Sequence, residues 1–367
     1  MIKKIFLKLS LFLICSFLFA QKPVITSVAP TSAPIGNVIT ITGSNFGNSP
    51  IVYFGPVKAT VVNSSPTSIN VKVPAGAESQ SITVTSSNFI SAPNKSFFVQ
   101  RPCAGLLSEN SFNNKMQISL GQQISNTLAA DFDGDGKTDI LACILGQGIV
   151  AFRNTTVGAI ITFEKNVITS TGNYSLAMGD LDGDGKIDIV ANDVINNNIQ
   201  NYFLVFRNAS VKGNIVFNSA GKYLNNGHNI DKIFIKDMDA DGKLDVVTYS
   251  GSYLEYSIFR NTSPQLFFPI FFSSGESFSI DNYGNDKIAR LDIAIEDLNL
   301  DGKPDIIVAA SIGKPDYQQS IYITQNFSTP GKINLIYMNR LQLPYQNIYH
   351  DRKILVGRSE ERRVGKE

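Results

Sequence analysis

Four short acidic windows set the tightest limit on what this chain can fold into. They read Asp131-Phe-Asp-Gly-Asp-Gly-Lys-Thr-Asp139, Asp180-Leu-Asp-Gly-Asp-Gly-Lys-Ile-Asp188, Asp237-Met-Asp-Ala-Asp-Gly-Lys-Leu-Asp245 and Asp297-Leu-Asn-Leu-Asp-Gly-Lys-Pro-Asp305. Their first residues lie 49, 57 and 60 positions apart, and the windows hold 15 of the chain's 31 acidic residues. Self-similarity at such a period marks propellers, solenoids or arrays. A second marker keeps step with the first: Phe152-Arg-Asn-Thr-Thr156, Phe206-Arg-Asn-Ala-Ser210, Phe259-Arg-Asn-Thr-Ser263 and, in weaker form, Gln325-Asn-Phe-Ser-Thr329. Between the windows the chain alternates short β-forming runs with Asn- and Gly-rich turns. In the second repeat these runs are Ile187 to Ala191, Tyr202 to Arg207, Ile215 to Asn218 and Lys232 to Lys236. Four strands per unit at this period fit the blades of a β-propeller.

Each window places oxygen-bearing side chains at positions 1, 3, 5 and 9. These are Asp131, Asp133, Asp135 and Asp139; Asp180, Asp182, Asp184 and Asp188; Asp237, Asp239, Asp241 and Asp245; and Asp297, Asn299, Asp301 and Asp305. Glycine at position 6 permits a sharp turn that a Cβ would hinder. Calcium takes six to eight hard oxygen ligands, backbone carbonyls among them. The expected extra ligand is the carbonyl of position 7, at Lys137, Lys186, Lys243 and Lys303, with each ammonium turned to solvent. Two carboxylates 4 Å apart repel by about 1 kcal/mol in water and about 4 kcal/mol at a surface-like dielectric, so a filled loop is favoured over an empty one. Magnesium demands a tighter octahedron, and zinc prefers His or Cys, whereas both histidines, His228 and His350, lie outside the loops. The sequence therefore predicts four calcium ions, one per loop, with the Asn299 loop binding most weakly. EF-hands are excluded, because position 12 is Ala142, Ala191, Thr248 or Val308 where an EF-hand carries Glu.

With β-branched flanks such as Asp188-Ile-Val-Ala, Asp245-Val-Val-Thr and Asp305-Ile-Ile-Val, the loops resemble the hairpin calcium sites of the FG-GAP/VCBS repeat family, which includes the integrin α-subunit propeller. The resemblance covers residues 113–357. It implies a β-propeller with structural calcium on one face and a role in adhesion or ligand binding. Ile354-Leu-Val-Gly357 matches Leu176-Ala-Met-Gly179, so Arg358 stands where a fifth loop would begin. Residues 358–367 read as an adapter-derived tail, and the propeller is expected to be truncated here, leaving a fragment that folds poorly.

Residues 24–99 have a different texture, rich in Val, Ile, Thr, Ser and Pro without helical periodicity. About seven short alternating runs predict a β-sandwich: Val24 to Ala29, Val38 to Thr42, Ile51 to Phe54, Val57 to Asn63, Ile69 to Val73, Ser81 to Thr85 and Ser96 to Val99. Pro23-Val-Ile-Thr-Ser-Val-Ala-Pro30, Ile39-Thr-Ile-Thr-Gly-Ser-Asn-Phe-Gly47, Val52-Tyr-Phe-Gly55 and Val73-Pro-Ala-Gly76 resemble the IPT/TIG immunoglobulin-like family over residues 23–99. Some members bind DNA, but this copy offers only Lys58, Lys72 and Lys95, so no nucleic-acid partner is expected. Residues 100–112 read as a linker.

Residues 1–20 read as a secretory signal peptide: Lys3, Lys4 and Lys8, then an apolar run from Leu9 to Phe19, then Ala20. No apolar stretch is long enough to span a bilayer. Of the two cysteines left after cleavage, Cys103 and Cys143, either a disulfide or an inert buried thiol is compatible with the sequence. No nucleophile motif and no zincin helix is present, and the two histidines lack visible partners. The expected protein is therefore a secreted or cell-surface, non-catalytic binder of an extracellular protein or carbohydrate. The alternative is a propeller-bearing enzyme acting on polysaccharide. The Asn154, Asn208 and Asn261 sequons are expected to carry no glycan, and the marker Arg residues to be solvated or bonded to their turns.

Overall fold

Strands and turns account for all of the described secondary structure. The computed structural model describes residues 22–342 apart from 101–116, 280–287 and shorter stretches such as 78–81, 92–96, 170–174, 265–268 and 313–317. The expected leader, most of the expected linker, Cys103 and the expected C-terminal tail lie outside the described residues.

The N-terminal region contains β1 (Val24–Ala29), β2 (Ser32–Pro34), β3 (Val38–Ser44), β4 (Ile51–Phe54), β5 (Val57–Ser65), β6 (Ser68–Lys72), β7 (Ile82–Ser86), β8 (Phe89–Ile90) and β9 (Phe98–Gln100). Seven of these form one curled sheet in the order β1-β3-β6-β5-β4-β7-β8. The long β5 is the corner: Val57–Ala59 pair with β4, while Thr60 to Ser65 pair with β6. The two halves thereby face each other, and Ile39, Ile41, Val52, Phe54, Ile69 and Val84 fill the space between them. Phe54 and Phe97 meet edge to face, with centroids 5.3 Å apart. The sandwich thus consists of two layers joined through one strand. β2 and β8 were not expected. β2 pairs in parallel with the distant β9, and β8 is only two residues long, so neither leaves a local alternation to read.

Four antiparallel four-stranded sheets follow, each with its strands side by side in chain order. The first is β10 (Ile124–Ala130), β11 (Asp139–Ile144), β12 (Gly148–Asn154) and β13 (Phe163–Thr169). The second is β14 (Leu176–Gly179), β15 (Asp188–Ile195), β16 (Asn198–Asn208) and β17 (Phe217–Leu224). The third is β18 (Lys232–Lys236), β19 (Asp245–Ser250), β20 (Glu255–Phe259) and β21 (Glu276–Ser279). The fourth is β22 (Ile288–Glu296), β23 (Asp305–Ile312), β24 (Gln318–Asn326) and β25 (Leu335–Gln342). These are propeller blades, and the fold is all-β, an immunoglobulin-like sheet followed by β-propeller blades.

The apolar cores lie between successive blades. Ala130, Leu141 and Ile149 of the first pack with Leu176, Ile189 and Phe206 of the second. Val190, Phe203 and Val205 pack with Ile233, Val246 and Phe259 of the third. Val247, Tyr249 and Ile258 pack with Ile293, Ile306 and Tyr322 of the fourth. A strand such as β19 therefore buries both faces, Val246 toward one neighbour and Val247 toward the other. That is why the runs after the loops read as continuous β-branched stretches with little alternation.

The repeat phase differs from the sequence expectation. Lys232 to Lys236 is the first strand of the third blade, not the last strand of the second. The outer strand of the second blade is instead β17, and its sequence, Phe-Asn-Ser-Ala-Gly-Lys-Tyr-Leu, is too polar and solvent-exposed to announce itself.

Candidate metal centre

Each Asp loop is the hairpin between the first and second strands of its blade. Its shape is fixed by hydrogen bonds from its own backbone. The position 6 glycine N–H donates to the position 1 carboxylate at 2.8 Å in the first loop, 2.9 Å in the second, 3.0 Å in the third and 2.9 Å in the fourth. Position 5 N–H donates to the side chain of position 3, and position 7 N–H to that of position 5. Gly136 and Gly185 turn with φ of +89° and +85°, a region that L side chains rarely adopt.

Position 9 holds the two ends together. Asp139, Asp188, Asp245 and Asp305 each accept the N–H of position 2 on one oxygen and the N–H of the marker Asn on the other. These distances run from 2.7 Å for Asn154 to 3.0 Å for Phe132.

In three loops the carboxylates of positions 1, 3 and 9 converge, with one oxygen from each within 4.8 Å of the others: Asp131, Asp133 and Asp139; Asp180, Asp182 and Asp188; Asp237, Asp239 and Asp245. Such a triad could hold a metal ion. The fourth loop cannot form it, because Asn299 replaces the carboxylate of position 3. Position 5 stays outside the triad. Asp135, Asp184 and Asp241 each spend one oxygen on the N–H of position 7. Asp184 also pairs with Arg207 at 2.6 Å, and Asp135 lies 3.8 Å from the Lys137 ammonium.

Burial makes these carboxylates reluctant to ionise. Asp139 is pushed up to about 6 and Asp180 to about 8, desolvation being the main cause in both, followed for Asp180 by the charges of Asp184 and Asp182. Asp241 is raised to about 6, first by burial and then by Asp239. Burial likewise holds Asp188 and Asp245 well above the ordinary carboxylate range. Two carboxylate oxygens, Asp180 Oδ1 and Asp237 Oδ1, are buried without a hydrogen-bond partner. An orphaned anionic oxygen inside a cluster of like charges fits a cation, and the all-oxygen donor set fits a hard one.

Residues 23–99 match the IPT/TIG domain, and residues 131–191 match the FG-GAP-like repeat. The chain carries an IPT/TIG domain and an FG-GAP-like repeat. No curated protein matches the chain. Similar solved structures include auxiliary nutrient binding proteins from Bacteroides thetaiotaomicron and Bacteroides ovatus. The first is 12% identical and has a TM-score of 0.33, covering 90% of this chain and 72% of that one. The second is 12% identical with a TM-score of 0.27, covering 82% and 86%. A putative phosphatase from Bacteroides thetaiotaomicron is 11% identical with a TM-score of 0.34, covering 86% and 85%. Similarity at this level bears on neither ligand nor activity.

The IPT/TIG domain rests on the second and third loops. The Tyr53 hydroxyl donates to the Gly185 carbonyl, and the Ile90 N–H donates to the Gly242 carbonyl. Ile51 covers Gly185, and Phe89 covers Gly242. Lys22 places its ammonium 2.5 Å from Asp237 Oδ2. Tyr53 also joins the apolar core between the first two blades. A cavity of about 340 Å³ remains where the domain meets the first two loops, with Tyr53, Lys58, Asp131, Asp133, Lys186 and Lys212 in its wall.

Two lysines and one arginine depart from the sequence expectation. Lys186 and Lys243 are half-buried, and their ammonium groups are held rather than free in solvent. They donate to the carbonyls of Ser210 and Ser263, at 2.8 and 2.6 Å, because the turn after each marker Asn leaves that carbonyl facing the loop. Arg207, though partly exposed, clamps Asp182 and Asp184, at 2.5 and 2.6 Å, whereas Arg153 pairs with Glu164. The marker Phe residues, Phe152, Phe206 and Phe259, are buried. The marker Asn is the functional residue that the sequence reading undervalued. Its recurrence beside a core Phe was the available signal. In Asn208 and Asn261 the amide is buried and fully bonded, which leaves no group for a glycan. Cys143 is a buried free thiol in the core, raised to about 12 by desolvation.

Proposed function

We propose that the chain is a secreted, non-catalytic binding protein whose blades are stabilised by calcium. The orphaned buried oxygens of Asp180 and Asp237, each within a three-carboxylate cluster, carry this reading. Positions 1, 3 and 9 would hold the ion, with the position 7 carbonyl as a further oxygen ligand. Calcium would supply positive charge to the loop. The secretory leader in the sequence supports an extracellular setting, where modules of this kind bind calcium at about 10⁻⁴–10⁻³ M. The ligand would be a protein or carbohydrate. The cavity beside the first loop, with lysines and carboxylates in its wall, falls within the usual size range of about 300–1,000 Å³ for small-ligand sites.

Thermal denaturation in calcium and in excess chelator tests the calcium reading. Calcium at ten times its dissociation constant stabilises by about 1.4 kcal/mol per site. A rise in Tm with calcium, reversed by chelator and not reproduced by magnesium, is expected. Identical melts in calcium and in chelator would refute it.

A further inference from the structure

The marker asparagines do more than close their own loops. Asn208 donates its side-chain amide at 3.0 Å to the Ile187 carbonyl of its own loop, and at 3.0 Å to the Phe132 carbonyl of the preceding blade's loop. Asn261 donates to Leu244 of its own loop at 3.1 Å and to Leu181 of the preceding loop at 2.8 Å. Asn326 does the same with Pro304 at 2.9 Å and Met238 at 2.8 Å. All three are at most 2% exposed. Asn154, in the first blade, bonds only its own loop, at Thr138.

We propose that these asparagines couple the metal loops of neighbouring blades, so that the loops fill cooperatively. This rests on the calcium reading above. The receiving carbonyl belongs to position 2, between the ligands at positions 1 and 3. The N–H of that same residue is already held by the position 9 carboxylate. Both ends of position 2 are thus fixed, one by its own loop and one by the next blade, and with them the directions of the flanking carboxylates. On the other side, the Asn backbone N–H holds position 9 of its own loop, and its amide holds the position 8 carbonyl. One buried amide therefore orders the first half of one loop and the last half of the next. An ion that rigidifies either loop lowers the ordering cost of the other, and linkage makes that effect mutual. Two junctions carry a second tie, from the Gly213 N–H to Asp133 and from the Gly331 N–H to Asp239, both at 2.8 Å.

Calcium titration of the full chain, followed by hydrogen exchange of peptides covering each loop, gives one midpoint per loop. Asn261→Ala should raise the midpoints of the second and third loops about three- to tenfold, the range of one net hydrogen bond, and raise the first less, through Asn208. Asn154→Ala should move the first loop most, with a smaller rise passed to the second. Should Asn261→Ala fail to fold, Asp182→Asn reads the same coupling without touching an asparagine: weakening the second loop should raise the midpoints of the first and third. Asn261→Ala acting on the third loop alone, or neighbours indifferent to Asp182→Asn, overturns the coupling while leaving calcium binding intact. Loops that gain no protection at any calcium concentration overturn the calcium reading itself.

Discussion

Asp180→Asn separates the two roles of a loop carboxylate, because they respond with opposite sign. In the metal-free chain Asp180 is a liability. It is buried, one of its oxygens has no partner, and carboxylate oxygens of Asp182 and Asp188 lie within 4.8 Å. Held near 8, the Asp180 carboxyl stays protonated at neutral pH, and stability is lost because the unfolded chain releases that proton. Arg207 already offsets part of the Asp182 charge. The Asn side chain keeps an oxygen for the Gly185 N–H and places donors where the orphaned oxygen stood. A net gain of about 2 kcal/mol, or roughly 3–6 °C in Tm, is expected in chelator. With calcium the same substitution removes one ligand of the triad and a charge that attracts the ion. The increment from the second loop, about 1.4 kcal/mol at tenfold saturation, should largely vanish. Scanning calorimetry of both proteins with and without calcium gives the four numbers needed. The variant should melt higher in chelator and gain less from calcium. A variant that melts lower in chelator, or one with an undiminished calcium increment, would refute the argument.

The raised carboxyl groups also predict how stability varies with pH. Asp139 and Asp241 are held near 6 and Asp180 near 8, against an ordinary value of 3.8. The folded state keeps these protons more tightly than the unfolded chain. Their contribution is therefore full below about pH 4 and is lost as pH rises through about 6 and then about 8. Calcium needs the deprotonated forms, so its increment should grow across that same window. Denaturant melts over this range, with and without calcium, should show the two trends crossing, and a calcium increment independent of pH would contradict them. Gly136→Ala and Gly185→Ala carry the same strained φ, yet a Cβ meets open space at Gly136 and runs into Ile51 at Gly185. The first should cost about 1 kcal/mol of backbone strain and the second about 2–4 kcal/mol, because overpacking adds to it. Equal losses in urea melts would mean that the IPT/TIG domain does not rest on the second loop.

The parts of the fold visible in the sequence were those dictated by local chemistry. Glycine at position 6 and Asp at positions 1 and 9 can be read directly, because the loop is built from its own backbone bonds. The β-branched runs after Asp188, Asp245 and Asp305 marked the central strands, which are buried on both faces. Features that depend on distant partners stayed hidden. β17 is polar because it lies at the outer edge of its blade. Arg207 looks like any surface arginine until Asp182 and Asp184 are placed opposite it. Lys22 and Tyr53 serve loops more than 130 positions away, and no spacing rule could connect them. The position 5 carboxylates match the ligand pattern, and each also accepts the N–H of position 7.

The loop carboxylates are held by the loop's own backbone, and that bears on what calcium can do. Position 9 has both oxygens engaged by backbone N–H groups, and positions 1, 3 and 5 each accept at least one more. What remains unsatisfied is charge: three carboxylates within 4.8 Å, and in two loops a buried oxygen with nothing to accept. Basic side chains meet part of this need in an uneven way. Arg207 serves the second loop and Lys22 the third, whereas the marker Arg153 of the first turns away to Glu164. The first loop also lines the cavity, together with Gly185 and Lys186 of the second. Calcium would supply charge to carboxylates that the backbone already orients, and its stabilising effect should therefore follow the charge of each cluster.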